Sequence, residues 1–393
     1  MTKYKIVYYK STQTSSVIAT VFETGKNTGK TEVISAVYNN AVNSAGSLKI
    51  KISPLHRCYN LIEVLKGFMV LYKNDKIIFK SRVFSITTDD YNIKTIECEG
   101  LLAVLNDSVV KPYKYDSYNS FDGSFTSTGE FSNWVYQLFN NHNKQTKYGT
   151  HSFKTEIGED LKSLNFSCKN TNYTDTWSEI KSKFINELGG FLWLEYSNNI
   201  ETTEDDILHF SSSLNSPCNQ EIKYAVNLSS IERKIAVDDF ATAIMPIGAE
   251  YEETNGDKVR TNIATVNDGN EFLVDENAVE IYGRINKVIE FNGVLSPDKL
   301  LSLAQKKLEE ILTLSGSLKV KAVDLSIINS KLDSFDIGQK VRVISENHNT
   351  DMYATISEVE IDLLQPQTAE YKLNSDFKSF VNSTNKKIYR IGE

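Results

Sequence analysis

Arginine is scarce in this chain. Seven of its 43 basic residues are arginine (Arg57, Arg82, Arg233, Arg260, Arg284, Arg342 and Arg390), against 51 acidic residues and a net charge of -8. Readers of bases and phosphates lean on the bidentate guanidinium and on a basic patch, so this balance argues against a dedicated nucleic-acid binder. Long apolar runs are missing too. The most apolar stretch, Leu188 to Leu194, is far below the roughly 18 residues a membrane span needs. Met1 to Ser16 has no apolar core of the kind that marks a secretory leader. The chain is therefore read as made and folded in a cytosol, and the N-x-S/T triplets at Asn106, Asn165, Asn172 and Asn227 carry no meaning for glycosylation. Its four cysteines, Cys58, Cys98, Cys168 and Cys218, form no C-x-x-C pair. Buried free thiols are expected, not a zinc site or a disulfide framework. With 6 Pro and 19 Gly, collagen-like and low-complexity classes are excluded.

Catalytic motifs are equally sparse. No G-x-S-x-G elbow, H-E-x-x-H, G-x-G-x-x-G or Walker loop occurs. The five histidines, His56, His142, His151, His209 and His348, show no spacing that would converge three zinc ligands. Adjacent acids occur at Asp89-Asp90, Asp205-Asp206, Asp238-Asp239 and Glu252-Glu253. Neighbours on a strand point to opposite faces, so these read as solvated turns and not as catalytic dyads. Met245 to Ala249 reads as a strand ending in a Pro/Gly turn. The 42 aromatics (3 Trp, 20 Tyr, 19 Phe) read as core, with a carbohydrate-binding face as the less favoured reading.

What is present is ordinary globular composition, 40% apolar and 24% charged, over a length that suits two to three domains of ~150 residues. The first hundred residues read as strands. Lys3 to Tyr9 alternates weakly. Leu48, Ile50 and Ile52 share one face, and Pro54 ends that strand. Phe68 to Tyr72 and Ile77 to Lys80 flank a polar turn, and Val83 to Thr87 and Ile93 to Cys98 flank another at Asp89 to Asn92. Hairpin order with polar faces predicts an antiparallel barrel or sandwich.

From about 106 to 220 the pattern is α+β. A Ser- and Tyr-rich loop spans 112–130. Phe131, Val135, Leu138 and Phe139 mark a helix over Phe131 to Asn141. Asp175 caps a second helix with a stripe of Trp177, Ile180, Phe184, Ile185 and Leu188, stopped by Gly189-Gly190 before a strand at Phe191 to Tyr196. The last third is β again, with one helix opened by Ser296-Pro297-Asp298 and striped by Leu300, Leu301, Ala304, Leu308, Ile311 and Leu312. Gly316 is expected to end that helix. Leu318 to Ile328 reads as a long strand, and Gln339 to Ile344 with Tyr353 to Leu363 as a further pair. The layouts of 67–86 and 338–361 resemble each other, each a glycine, an apolar alternation, a polar turn and a longer strand, which raises an internal duplication.

The order of several segments carries a resemblance. They are N-N-A-V-N-S-A-G-S-L-K-I-K-I-S-P at 39–54, L-K-G-F-M-V-L-Y at 65–72, I-E-C-E-G-L-L-A-V-L-N-D-S at 96–108 and L-G-G-F-L-W-L-E-Y at 188–196. N-L-S-S-I-E-R-K-I at 227–235, A-T-A-I-M-P-I-G-A-E-Y at 241–251, V-E-I-Y-G-R-I at 279–285, V-K-A-V-D-L-S at 320–326 and F-D-I-G-Q-K-V-R-V at 335–343 follow. In this order the chain resembles the bacteriophage and prophage tail hub proteins, the family also labelled prophage tail protein or tail-associated lysin N-terminal module.

That resemblance implies a mainly β fold with α+β insertions. It has two related antiparallel β-barrel domains of the baseplate-hub kind plus an inserted α+β region. The expected domains are 1–105, a first barrel; 106–220, the inserted region; and 221–393, a second barrel with a helix-containing insertion, part of which could complete the first. It implies a structural role as a homotrimeric ring joining the tail tube to the tail tip or baseplate. The partners are other copies of itself, a distal tail or tube protein above and tip or fibre proteins below. DNA transits the lumen without specific binding. The expected location is the virion tail, assembled in the host bacterial cytoplasm. No catalytic, cofactor-binding or metal residue is expected, and no cofactor. The chain ends about 30 residues after its last strand pair, so it is read as a short hub without a wall-degrading domain. A tail-associated cell-wall hydrolase, endopeptidase or glycosidase, is the alternative. An adhesin using the 112–130 loop is a minor third.

Overall fold

The computed structural model describes residues 3–9, 17–29, 32–116, 129–146, 153–198, 206–214, 216–235, 240–252, 258–291, 294–312, 315–329 and 331–376. The chain forms two compact units, one of Met1–Glu232 with Lys319–Leu373 and one built on Arg233–Leu318. The fold is mainly β, with a sheet curled as a half-barrel.

The first unit starts with seven strands: β1 Tyr4–Tyr9, β2 Val17–Glu23, β3 Val33–Ala41, β4 Ser47–Ile52, β5 Phe68–Lys73, β6 Lys76–Thr88 and β7 Lys94–Gly100. The period-two reading of β4 holds, since Leu48, Ile50 and Ile52 are fully buried while the residues between them are exposed. Each such side chain contributes about 1.5–3 kcal/mol by burial. A one-residue slip would turn all three to solvent, which pins the register to β3 and β7.

The two segments read separately at 77–80 and 83–87 are one strand. β6 runs unbroken for 13 residues and takes β5 as partner along its first half and β7 along its second, with a bulge between Val83 and Ser85. The strand Thr350–Asp362 repeats the arrangement. It is also 13 residues long, pairs Gln339–Ser345 along its first half and reaches β3 with its second. The strand path runs Leu228–Ile235, Ser315–Ala322, Glu370–Asp376, Thr350–Asp362, β3, β4, β7, β6, β5, β1, β2. The later strands thus join the same hydrogen-bonded sheet as the first seven.

The segment following β7 has its own core. The helix Phe131–Gln145 buries Phe131, Trp134, Val135, Leu138, Phe139 and His142, and these pack with Tyr113, Tyr115, Phe166, Phe184 and Phe210. Asp175 Oδ1 accepts the Ser178 N–H as expected of a cap. The helix it opens changes to a π turn at Lys181–Asn186, which shifts the apolar stripe. Ile180 and Phe184 are fully buried but Leu188 is exposed. Gly189 takes the left-handed conformation. A Cβ on Gly190 would meet the Phe184 ring at 2.2 Å. Asn43, itself left-handed, binds this region to the sheet: its N–H and its amide bond Leu192 O, Leu192 N and Gly190 O.

In the second unit the strand Ala243–Ile247 pairs in parallel with Asn286–Glu290. The helix Pro297–Leu312 lays Ala304, Leu308 and Ile311 on Ala241 and Ile244. Pro246 lies inside the strand, and Gly248 is where a Cβ would meet Val294 O at 2.4 Å. Two expectations fail nearby. Gly316 does not end the helix but lies in the strand Ser315–Ala322. The strand does not run to Ile328, because Asp324 caps a 3-10 turn at Leu325–Ile327.

Candidate functional site

The hydrolase alternative requires a nucleophile beside a base. One such pair exists in the inserted region. Ser108 precedes a short strand, His142 ends the buried face of the helix Phe131–Gln145, and Thr176 begins the helix capped by Asp175. Ser108 Oγ lies 2.6 Å from His142 Nδ1 and 2.6 Å from Thr176 Oγ1. All three residues are fully buried, so no polymeric substrate reaches the hydroxyl. A hydroxyl shared between an imidazole and a second hydroxyl satisfies polar groups that folding has removed from water.

A second buried network lies beside it. Tyr113 Oη donates to Glu179 Oε1 at 2.6 Å and accepts from Trp134 Nε1 at 2.8 Å, with Cys168 Sγ at 3.3 Å. Burial raises the Glu179 carboxyl above the usual range, against the pull of Tyr113 and Lys183. Burial likewise pushes the Cys168 thiol to about 12, so it is not a thiolate nucleophile. Cys58, Cys98 and Cys218 are also free, each raised by burial.

Two ion pairs tie distant segments of the first unit. Lys80 of β6 meets Asp206 at 2.8 and 3.1 Å. Asp206 Oδ1 also accepts the N–H and hydroxyl of Ser197. Burial raises its carboxyl despite these donors. Lys73 of β5 meets Asp324 Oδ2 at 3.0 Å and also binds Ser334. Burial opposes ionisation of Asp324, but Lys73, Ser326 and Gln220 together overcome it and hold the carboxyl at about 2.

The candidates read from the sequence do not converge. His56 bonds Val21 O, His209 bonds Glu195, and His348 bonds Ser345. His151 lies outside the described residues, as do 117–128 of the Tyr-rich loop, Asp205, Asp238, Asp239 and Glu253. Asp89 does serve a turn, its Oδ1 accepting the N–H of Tyr91 and Ile93. Asp206 is the exception: it is not a solvated turn residue but a fully buried partner of Lys80. Among the described residues no group of three or more His, Cys, Asp or Glu is placed to hold a metal ion, and no helix is long and apolar enough to cross a membrane.

Residues 216–384 match the family model described as prophage endopeptidase tail. Over that stretch the chain is similar to the prophage tail proteins. The segments from 227 onward that carried the resemblance lie in the matched stretch; those before it are covered by likeness of fold. The 43 kDa tail protein of prophage MuSo2 from Shewanella oneidensis superposes with a TM-score of 0.60 at 10% identity, over 94% of this chain and 98% of that one. The tail protein from Neisseria meningitidis MC58 gives 0.60 at 11%, over 95% and 97%. The prophage tail protein gp18 from Listeria monocytogenes EGD-e gives 0.54 at 14%, over 99% and 100%. No curated protein matches the chain.

Proposed function

We propose that this chain is a structural tail hub protein of a phage or prophage. In this reading three copies form a ring that joins the tail tube to the tail tip or baseplate, in the virion tail, and DNA passes through its lumen. The observation that carries the reading is the likeness to prophage tail proteins over nearly the whole of both chains, together with the family match at 216–384. The domain scheme of two related barrels, 1–105 and 221–393, around an inserted 106–220 belongs to the same proposal. It is supported by the two 13-residue strands that each change partner midway. Neighbours on the tube side and the tip side would be other tail proteins, met after the chain is assembled in the host cytoplasm.

We read the chain as non-enzymatic, although the family description includes the word endopeptidase. The support is the full burial of Ser108 and His142. Two measurements test the proposal. Light scattering after size exclusion should give three times 44.4 kDa, about 133 kDa. The pure protein should release no fragments from peptidoglycan, and reproducible release would replace the hub with the hydrolase.

A further inference from the structure

We propose that Lys80 and Asp206 condense into an internal isopeptide bond, an amide between Nζ and Cγ that joins β6 to the inserted region and releases one water. The bond is independent of the ring: it would form in a single copy of the chain.

The two side chains are held face to face from separate sheets. Lys80 lies on β6, and Asp206 directly precedes the strand Ile207–Ser211 of a three-stranded sheet. The Asp206 backbone is anchored there, since its carbonyl accepts the Lys154 N–H at 3.2 Å. Lys80 Nζ meets both carboxylate oxygens, at 2.8 and 3.1 Å. That puts the nitrogen roughly 3–3.5 Å from the carbon between them, the separation of a near-attack arrangement. Water is kept out: 5% of the Lys80 side chain and none of the Asp206 side chain is exposed. Oδ1 takes two further donors, the N–H of Ser197 at 2.8 Å and its hydroxyl at 3.0 Å. Two donors fixed on one oxygen stabilise negative charge that develops there during attack on the carbon. Oδ1 is therefore the oxyanion, and Oδ2 is the oxygen that leaves.

The pair of Lys73 and Asp324 is the internal contrast. There Lys73, Ser326 and Gln220 hold the carboxyl at about 2, so the ion is the stable form, and a carboxylate is a poor electrophile. At Asp206 burial prevails over Lys80 and Ser197 and raises the carboxyl. That site favours the uncharged acid and amine, which are the reacting forms. An amide also removes both buried charges, and with them the desolvation penalty that a buried ion pair carries. The step balances within the pair. One proton passes from the Nζ ammonium to Oδ2, the Nζ lone pair attacks Cγ, and Oδ1 takes the charge between the two Ser197 donors. A second proton then moves from Nζ to Oδ2, the Cγ–Oδ2 bond breaks, and water leaves. Nζ keeps one hydrogen, nothing is oxidised or reduced, and no further reactant enters.

The test is the intact mass of the purified full chain, measured under denaturing conditions. The wild type should weigh one water less than its sequence, and a protease digest should contain a branched peptide joining Lys80 to Asp206. Lys73 and Asp324 should stay unjoined. Lys80→Met removes the nucleophile and should restore the full mass. The bond closes a loop between positions 126 residues apart, so the wild type should also run faster than Lys80→Met on a denaturing gel. Ser197→Ala removes one of the two donors on Oδ1. Followed by mass from the moment of cell-free synthesis, it should form the lighter species about 10²-fold more slowly than the wild type. An unchanged rate would overturn the role given to Ser197. A folded wild type that keeps its full mass on prolonged incubation at neutral pH would overturn the bond. So would a lost water that maps to another position, or that persists in Lys80→Met.

Discussion

Asp324 is ionised at a depth where burial alone would keep it protonated. Its folded carboxyl titrates at about 2, whereas an unfolded aspartate titrates near ~3.9. A depressed folded value adds stability at high pH. The contribution, about 2 kcal/mol, is whole above roughly pH 5 and is lost as pH falls toward the folded value. Urea unfolding of Asp324→Asn should therefore show a smaller loss of stability between about pH 5 and pH 2 than the wild type does. Removing one partner costs more than the pair contributes. Lys73→Ala leaves a buried carboxylate without its cation and should cost about 3–5 kcal/mol at neutral pH, whereas Lys73→Met with Asp324→Leu should recover most of that. No local pattern signals this pair, because Lys73 reads as a turn lysine and its partner stands 251 residues away. Lys80 was hidden in the same manner by Asp206.

Individual elements were legible wherever a repeat was local. The β4 alternation, the Asp175 cap and the Ser296-Pro297 start needed only neighbours in sequence, and all three are found as read. β6 was split by the reading because Lys80, Ser81 and Arg82 interrupt its apolar pattern. Each is satisfied from far along the chain: Lys80 by Asp206, Ser81 by Met69 O, and Arg82 by Glu99 and Asp107. A polar residue with a distant partner is indistinguishable in sequence from the end of a strand. Gly100, at the end of β7, shows a further kind of hidden constraint. Its φ is ordinary at -64°, so no turn demands glycine. What demands it is space: a Cβ there would lie 1.8 Å from Ala45 O and 2.8 Å from the Phe79 ring. Gly100→Ala should force the turn before β4 away from β7 and cost about 3 kcal/mol or more, read as a lowered thermal midpoint.

For the whole molecule, the charge balance read from composition has a structural counterpart. The arginines whose side chains are described are all engaged within the chain. Arg57 donates to Thr20 O, Arg82 pairs with Glu99 and Asp107, Arg260 with Glu290, and Arg342 with Asp351 and Glu221. Arg284 bonds Asn286 and lies over the Phe272 ring. Several exposed lysines of the sheet are matched too: Lys49 with Glu97, Lys319 and Lys321 with Glu370, Lys372 with Glu358. DNA affinity comes chiefly from unpaired cations that displace counterions, with a salt slope that counts them. A surface that pairs its described arginines and several of its lysines within the chain, at a net charge of -8, should bind duplex DNA weakly and with a shallow slope. The proposed passage of DNA would require this, since each tight contact would have to be broken as the duplex moves. Fluorescence anisotropy with a labelled duplex across a salt series checks it. The wild type should show a Kd no tighter than about 10⁻⁴ M at physiological salt. Changing Glu97, Glu358 and Glu370 to glutamine releases four lysines and should tighten binding and steepen the slope by about 3 to 4. Tight binding by the wild type would count against the proposed passage of DNA.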